Sequence, residues 1–150
     1  MCPVVTVPGQ AVPGSDTGMP GTVLWATDFS SPATAALRYA LSVAAKGGAD
    51  LVLVHAVEPD GLGDERARVR EGERRLREIV TSDQSPGSDV ERVGAAGGAS
   101  NEIVRIARES RAGLIVMGTH GSRTSHAILF GSTARRVVRD APCPVLSVRG

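Results

Sequence analysis

The sequence predicts an α/β fold with a single five-stranded, mostly parallel sheet flanked by four helices. Two observations lead to this prediction. Short apolar runs alternate with segments of helical period along most of the 150 residues, which is the length of one domain. Aromatic residues make up only 3% of a chain that is 41% hydrophobic, so the core must consist of Ala, Val, Leu and Ile. Such a core suits buried parallel strands covered by alanine-rich helices.

Residues 1–20 differ in composition from the rest of the chain. Four prolines and three glycines interrupt every short apolar run in this segment. Turn residues at this density predict a flexible arm rich in Pro and Gly. The α/β domain is therefore expected to span residues 21–150.

The first half of the domain contains two units of a strand followed by a helix. TVLWATD predicts the first strand, and the alanine-rich stretch after it predicts a helix that Ser31 caps and Gly47 and Gly48 end. DLVLVHAVE is almost wholly apolar, as in a strand that is buried on both faces. A charged helix follows over about residues 64–80.

The second half repeats this alternation. DVERVGAAGG predicts a weaker strand and ASNEIVRIARESRAG a helix; LIVMG, STARRVVRDA and PVLSVR then predict a strand, a helix and the last strand. A terminal strand of an open sheet leaves main-chain groups unpaired on one side. Two copies are expected to pair through this edge as a homodimer.

Charge and cysteine content exclude several classes of function. The chain has 17 basic and 16 acidic residues and a net charge of +1, which excludes non-specific attraction to nucleic acid or to an anionic membrane. Cys2 and Cys143 form no CxxC pair, so neither a disulfide framework nor a zinc site is indicated. No apolar leader or membrane-spanning stretch is present, and a cytoplasmic location is expected.

Three segments are expected to meet at one edge of the sheet. Parallel strands place their carboxyl ends together, and ligands of such sheets bind beyond those ends. The segments are the end of the first strand around Asp28, the end of the second around Ala56, and the glycine loop after Met117.

The glycine loop, GTHGSRTSHAILFGST, combines two features of anion sites. Gly118 and Gly121 follow a strand, where the lack of a Cβ lets the backbone approach a phosphate. Gly118→Val or Gly131→Val is therefore expected to block the ligand without disturbing the fold. Gly131, Ser132 and Thr133 begin a helix, whose N–H groups attract anions. The spacing is neither that of a P-loop nor that of a dinucleotide fingerprint. Loop chemistry alone leaves two interpretations open, an anion cradle or a long turn.

Some side chains near these segments also have two interpretations. Asp28 either bonds N–H groups of its own turn or lies near phosphates, through water and a bridging Mg²⁺ or Mn²⁺. His120 is a loop side chain within reach of phosphate, and Arg123 either pairs with phosphate or is a solvated side chain of the loop. His55 lies inside a buried strand, where a structural role is expected.

Four segments in order resemble the universal stress protein A family, in its ATP-binding branch. They are VLWATDFSSPATAALRYA, LVLVHAVEP, the pattern of Gly118, two residues, Gly121, nine residues and Gly131-Ser132, and APCPVLSVR. The resemblance covers residues 22–150. It implies a Rossmann-like domain related to the adenine nucleotide alpha hydrolases, which commonly forms dimers through its last strand.

The resemblance also implies that ATP is the ligand, with Mg²⁺ or Mn²⁺ on its phosphates. The glycine backbone and the Ser132 hydroxyl hold the triphosphate, the main chain of Ala56 meets adenine, and the end of the first strand lies beside the ribose and phosphates. The residues expected to bind the nucleotide are Ala26, Thr27, Asp28, Ala56, Met117, Gly118, His120, Gly121, Arg123, Gly131, Ser132 and Thr133.

Three functions agree with these expectations. The first is a nucleotide-dependent regulatory or sensor module of the stress response, acting on a regulatory protein partner. The second is a slow ATPase or a nucleotidyl-transfer enzyme of related fold, and the third is a structural dimer that binds no nucleotide. The intact glycine spacing disfavours the third function, and the sequence shows no general base for the second.

Overall fold

The computed structural model describes residues 3–8, 18–81, 89–119 and 131–149. In chain order its elements are β1 (Val4–Thr6), β2 (Thr22–Ala26), α1 (Ser31–Gly47), β3 (Asp50–Val57), α2 (Glu65–Ile79), β4 (Val90–Ala96), α3 (Ala99–Glu109), β5 (Leu114–Gly118), α4 (Ser132–Asp140) and β6 (Val145–Val148). The described strands form one sheet in the order β1-β6-β5-β2-β3-β4. The predicted α/β class with a mostly parallel sheet is confirmed, with six strands in place of the predicted five.

The additional strand, β1, lies within the segment that the sequence assigns to a Pro/Gly-rich arm. Val4, Val5 and Thr6 pair antiparallel with β6, whereas the other neighbouring strands pair in parallel. The last strand is therefore not an edge strand of the described sheet, and the prediction that its outer side is unpaired is wrong. β1 has only three residues between Pro3 and Pro8, too few to produce an alternating pattern that the sequence would reveal.

The helices begin in two different ways. Ser30 caps α1, not the predicted Ser31, and its hydroxyl accepts the Ala33 N–H; Asp64 caps α2 in the same manner. Glycines stand at the N-caps of α3 and α4, and neither has a side-chain cap. α1 ends at Gly48, whose φ of 60° is the left-handed conformation typical of such ends.

Apolar side chains cover both faces of the sheet. α1 and α2 cover one face with a cluster that includes Trp25, and α3 and α4 cover the other with a cluster that includes Ile115. The buried indole N–H of Trp25 donates to the Ala33 carbonyl of α1 over 2.9 Å, which fixes the first turn of that helix on β2. None of the described helices is long and apolar enough to cross a membrane.

Candidate functional site

A cleft of about 660 Å³ opens at the carboxyl edge of the sheet, between the ends of β2, β3 and β5. The chain winds from β2 through β3 to β4 on one side and places β5 on the other side of β2, so the winding reverses at this point. Open α/β sheets bind ligands at such a reversal. The cleft is lined by nine of the residues expected from the sequence: Ala26, Thr27, Asp28, Ala56, Met117, Gly118, Gly131, Ser132 and Thr133. His120, Gly121 and Arg123 lie outside the described residues.

The N-terminus of α4 forms one end of the cleft. Its N-cap, Gly131, has an extended backbone with φ −64° and ψ 161° and no side chain that could cap the helix. The first N–H groups of a helix have no partner within it and carry a partial positive charge. Ser132 and Thr133 add hydroxyl groups to the same wall. This end of the cleft is suited to bind an anionic group.

One hydrogen bond closes the base of the glycine loop. The Gly131 N–H donates to the Thr119 carbonyl over 2.7 Å, and the Thr119 N–H donates to the Val148 carbonyl of β6 over 2.9 Å. The strand end and the helix start are thereby held side by side. They meet directly, although 11 residues separate them in the sequence.

The main chain of Ala56 forms the opposite end of the cleft. The Thr27 N–H donates to the Val54 carbonyl, and the Gly97 N–H donates to the Val57 carbonyl. Because peptide groups alternate in direction along a strand, the N–H and carbonyl of Ala56 point to the β2 side, like those of Val54. The paired part of β2 ends opposite Val54. The Ala56 peptide groups therefore point into the cleft, where they offer one donor and one acceptor.

The turn between β2 and α1 forms the floor of the cleft. The Asp28 carboxylate accepts the Ser30 N–H over 3.0 Å, and the Thr27 hydroxyl accepts the Phe29 N–H over 2.8 Å. Asp28 thus makes the local bonds that one of its two interpretations predicts, while its exposed carboxylate also lines the cleft. No cluster of three or more His, Cys, Asp or Glu able to hold a metal occurs among the residues described. The donor set fits Mg²⁺ or Mn²⁺ only as an ion that arrives with phosphates, with Asp28 beside it.

His55 supports this turn from beneath. Its Nδ1 lies 2.9 Å from the Thr27 carbonyl, an acceptor, so the neutral ring carries its proton on Nδ1. The ring packs 4.5 Å from that of Phe29, over which the Arg75 guanidinium lies at 3.8 Å. Burial lowers the pKa of His55, and Arg75 lowers it further against the opposing effects of the Thr27 carbonyl and Asp28. His55 is therefore a neutral structural side chain.

Gly118 has a packing role that the sequence did not reveal. A Cβ at this position would lie 2.8 Å from the Ala33 nitrogen and 2.9 Å from the Pro32 carbonyl carbon. Glycine is required here because β5 packs against the backbone of the first turn of α1. The expectation that Gly118→Val would leave the fold intact is wrong, since its side chain would enter α1 rather than the ligand path.

Sequence reasoning missed the acidic wall of the cleft near Ala56. The Glu58 carboxylate lies 3.4 Å from the Ala99 N–H at the start of α3. Asp60 accepts two bonds from the Arg68 guanidinium, at 2.8 and 3.0 Å, and a third from the Leu62 N–H. The only signal in the sequence is the turn-rich stretch EPDGLGDE, which reads as an ordinary loop.

The two ends of the cleft therefore differ in polarity. Bare helix N–H groups lie at the α4 end, while a peptide donor and acceptor beside carboxylates lie at the β3 end. This arrangement is suited to an elongated ligand with an anionic group at one end and a neutral, hydrogen-bonding group that carries a donor at the other.

A second depression, of about 860 Å³, lies between α3 and α4 and includes three arginines. Arg105 pairs with Glu102 and Glu109, and Arg139 pairs with Asp140. Arg108 donates to the Asp140 carbonyl. Because its basic groups are largely neutralised by these partners, the depression offers an anion much less than the cleft does.

Comparison with known proteins agrees with the fold. The model of the universal stress protein family matches residues 19–149. A universal stress protein of Thermus aquaticus is 39% identical over 136 residues, which cover 85% of this chain and 98% of that protein. The structure of protein MJ0577 of Methanocaldococcus jannaschii superposes with a TM-score of 0.76 and 25% identity, over 87% of this chain and 96% of that one. A universal stress protein in complex with cAMP superposes with a TM-score of 0.67 and 27% identity, over 87% and 98% of the two chains.

Proposed function

Because the chain belongs to the universal stress protein family, we propose that it binds ATP in the cleft and acts as a nucleotide-dependent regulatory or sensor module in the stress response. One observation carries the proposal: the uncapped N-terminus of α4 and the inward-facing Ala56 peptide groups lie at opposite ends of one cleft. A nucleotide presents phosphates to the first and a base to the second. The relative bound to cAMP supports a nucleotide as the class of ligand.

In this proposal each wall of the cleft binds one part of ATP. The N–H and carbonyl of Ala56 bind the adenine edge, as a donor and an acceptor suit the amino group and ring nitrogen of that base. The turn of Ala26, Thr27 and Asp28 lies beside the ribose. The helix start at Gly131 binds the phosphates.

Further contacts with the phosphates complete the proposed site. The hydroxyls of Ser132 and Thr133 donate to the phosphates, and the backbone of Met117 and Gly118 borders them. His120, Gly121 and Arg123 are proposed to add contacts from the glycine loop. A Mg²⁺ or Mn²⁺ ion would accompany the phosphates and neutralise part of their charge, with Asp28 bound to it through water.

The titratable side chains of the cleft favour binding over catalysis. His55 is neutral and bonded to Thr27, and Asp60 is bonded to Arg68. The Asp28 and Glu58 carboxylates accept main-chain N–H groups at the starts of α1 and α3. A general base must be within hydrogen-bond distance of a water or acceptor and have a matched pKa. We propose at most slow hydrolysis, in the cytoplasm, where ATP is abundant. The proposed protein partners are a second copy of the chain, which pairs through β6 when β1 is displaced from that strand, and a regulatory protein that responds to the bound nucleotide.

Calorimetry with the whole chain tests the proposal. Titrations with ATP, AMP, cAMP and GTP, each with and without Mg²⁺, should show binding with adenine nucleotides favoured over GTP. Nucleotide released from the purified protein should be ATP, and incubation with ATP should release little phosphate. If none of the four nucleotides binds, the proposal fails; if cAMP binds more tightly than ATP, the ligand is a cyclic nucleotide.

A further inference from the structure

The strand β1 repeats the sequence of β6. Residues 3–7 read Pro-Val-Val-Thr-Val, and residues 144–148 read Pro-Val-Leu-Ser-Val. Three of the five positions are identical, and the other two exchange Val for Leu and Thr for Ser. A cysteine precedes both segments in the sequence. The two ends of the chain thus carry two versions of one strand, and the structure pairs these versions with each other.

The register in which β1 pairs with β6 would also suit β6 of a second copy. Val4 lies opposite Ser147, Val5 opposite Leu146, and Thr6 opposite Val145. By the repeat, Val4, Val5 and Thr6 correspond to residues 145, 146 and 147. Replacing β1 with β6 of a second copy in the same register would place Leu146 opposite its own counterpart and Val145 opposite Ser147 of the other copy. That arrangement is symmetric about a two-fold axis through Leu146, as an isologous interface requires.

The main-chain groups covered by β1 would otherwise be unpaired. Ile115 donates to the Pro144 carbonyl and Thr119 to the Val148 carbonyl, so the even-numbered residues of β6 face β5. Val145 and Ser147 consequently face β1 and present two N–H and two carbonyl groups to it. All four residues of β6 are buried. Without β1 this edge would have four unpaired polar groups on a buried strand, which is a template for another strand.

Packing holds β1 only weakly. No residue of β1 belongs to either core cluster. The side chains of Val4 and Val5 are 50% and 57% exposed, whereas Leu146, with which Val5 pairs, is 6% exposed. A strand of three residues with half-exposed side chains contributes little buried apolar surface. Its release would leave both cores in place.

We propose that β1 is an internal replica of β6 that occupies, within one chain, the place of β6 of a second copy. The edge of β6 is then a self-association surface, and β1 covers it. The chain is monomeric while β1 is paired, and two chains join through β6 when β1 leaves. The proposal does not depend on nucleotide binding, so either can fail without the other.

Two proline variants of the whole chain test whether β1 covers a self-association edge of β6. Val4 and Thr6 face β6, so Thr6→Pro removes an N–H that bonds β6, whereas Val5→Pro removes one that faces away. Light scattering after size exclusion should show a monomer for wild type and for Val5→Pro, and a doubled mass for Thr6→Pro. Adding Ser147→Pro to Thr6→Pro removes an outward N–H of β6 and should restore the monomer.

A disulfide provides a second test that does not depend on weakening β1. Val5 and Leu146 form a directly opposed pair without mutual hydrogen bonds, so Val5→Cys with Leu146→Cys should oxidise within one chain. The oxidised protein should remain monomeric at all concentrations, even when it also carries Thr6→Pro.

The proposal is overturned if Thr6→Pro remains monomeric, if Val5→Pro dimerises equally, or if the oxidised protein is a dimer. A wild-type dimer would also overturn it.

Discussion

Helices α1 and α4 both begin at the carboxyl edge of the sheet, α1 after β2 and α4 after the glycine loop that follows the neighbouring β5, but their first turns are built differently. The hydroxyl of Ser30 accepts an N–H of α1, and the Ser30 carbonyl accepts the Thr34 N–H. The N-cap of α4 is Gly131, and this helix has no side-chain cap. A capping side chain is worth about 1 kcal/mol relative to alanine and a few tenths of that relative to glycine. The chain omits this stabilisation at the helix that faces the cleft, which leaves its donors available to an anionic ligand.

The largest effect we expect is the difference in stability between alanine substitutions at the two ends of the glycine loop. Gly118→Ala places a Cβ within 2.8 Å of the α1 backbone and should lower the free energy of unfolding by about 3 kcal/mol. Gly131→Ala, at a residue with ordinary backbone angles, should cost at most about 1 kcal/mol. Urea denaturation of both variants measures the difference. Equal losses would show that the two glycines do not have separate roles.

A side-chain cap on α4 should raise the stability of the protein and weaken its binding of ATP. Gly131→Asp places a carboxylate over the free N–H groups, so it should raise the stability slightly, by about 0.5 kcal/mol. The same carboxylate should weaken ATP binding roughly 100-fold, because it occupies N–H groups whose hydrogen bonds to a charged ligand are worth up to about 3 kcal/mol. Gly131→Asn is the matched control, since it caps the helix without adding charge and should lose less affinity. Unchanged affinity in Gly131→Asp, measured by calorimetry, would place the phosphates elsewhere.

Removing the cap of α1 should lower the stability of the protein and leave its ATP affinity unchanged. Ser30→Ala leaves the first turn of α1 without its side-chain acceptor and should lower stability by about 1 kcal/mol. ATP affinity should not change, because this cap bonds only its own helix. Ser30→Thr, which keeps the hydroxyl, serves as the control in thermal unfolding. A large loss of affinity in Ser30→Ala with wild-type stability would contradict the proposed division between the two helices.

The smallest effect concerns the pH dependence of stability. Because burial lowers the pKa of His55 in the folded protein, the unfolded chain binds its proton first as the pH falls. The contribution of this group to stability should be complete above about pH 6.5 and should decrease below that pH, until the folded protein is also protonated. Urea denaturation between about pH 8 and pH 5 should show this decrease in wild type. The decrease should be reduced in His55→Gln; identical profiles would assign it to other groups.

The sequence was sufficient for most of the fold because its elements are long and regular. Four of the five longer strands are apolar runs, β4 being the more polar exception. The four helices have clear starts and stops, with Ser30 rather than Ser31 as the cap of α1. β1 escaped prediction because three residues between prolines show no period. Its likeness to β6 is the signal that would have revealed it, and that signal lies in a comparison of the two ends of the chain.

The candidate site was predictable where it depends on backbone position. The nine described residues expected at the cleft all line it, because strand ends and helix starts follow from the element pattern. The role of Gly118 was not predictable, since the sequence does not show which neighbour a missing Cβ makes room for. The Asp60 and Arg68 pair was also hidden. The two residues are eight positions apart, and the loop between them determines whether they meet.

The hydrogen bond between Gly131 and Thr119 has a consequence for how this protein can change. Since the two ends of the glycine loop already meet, the length of the segment between them is not set by a distance it must bridge. Doubling the length of a closed loop costs only about 0.6 kcal/mol. Residues can therefore be added or removed between positions 119 and 131 at little cost to the sheet.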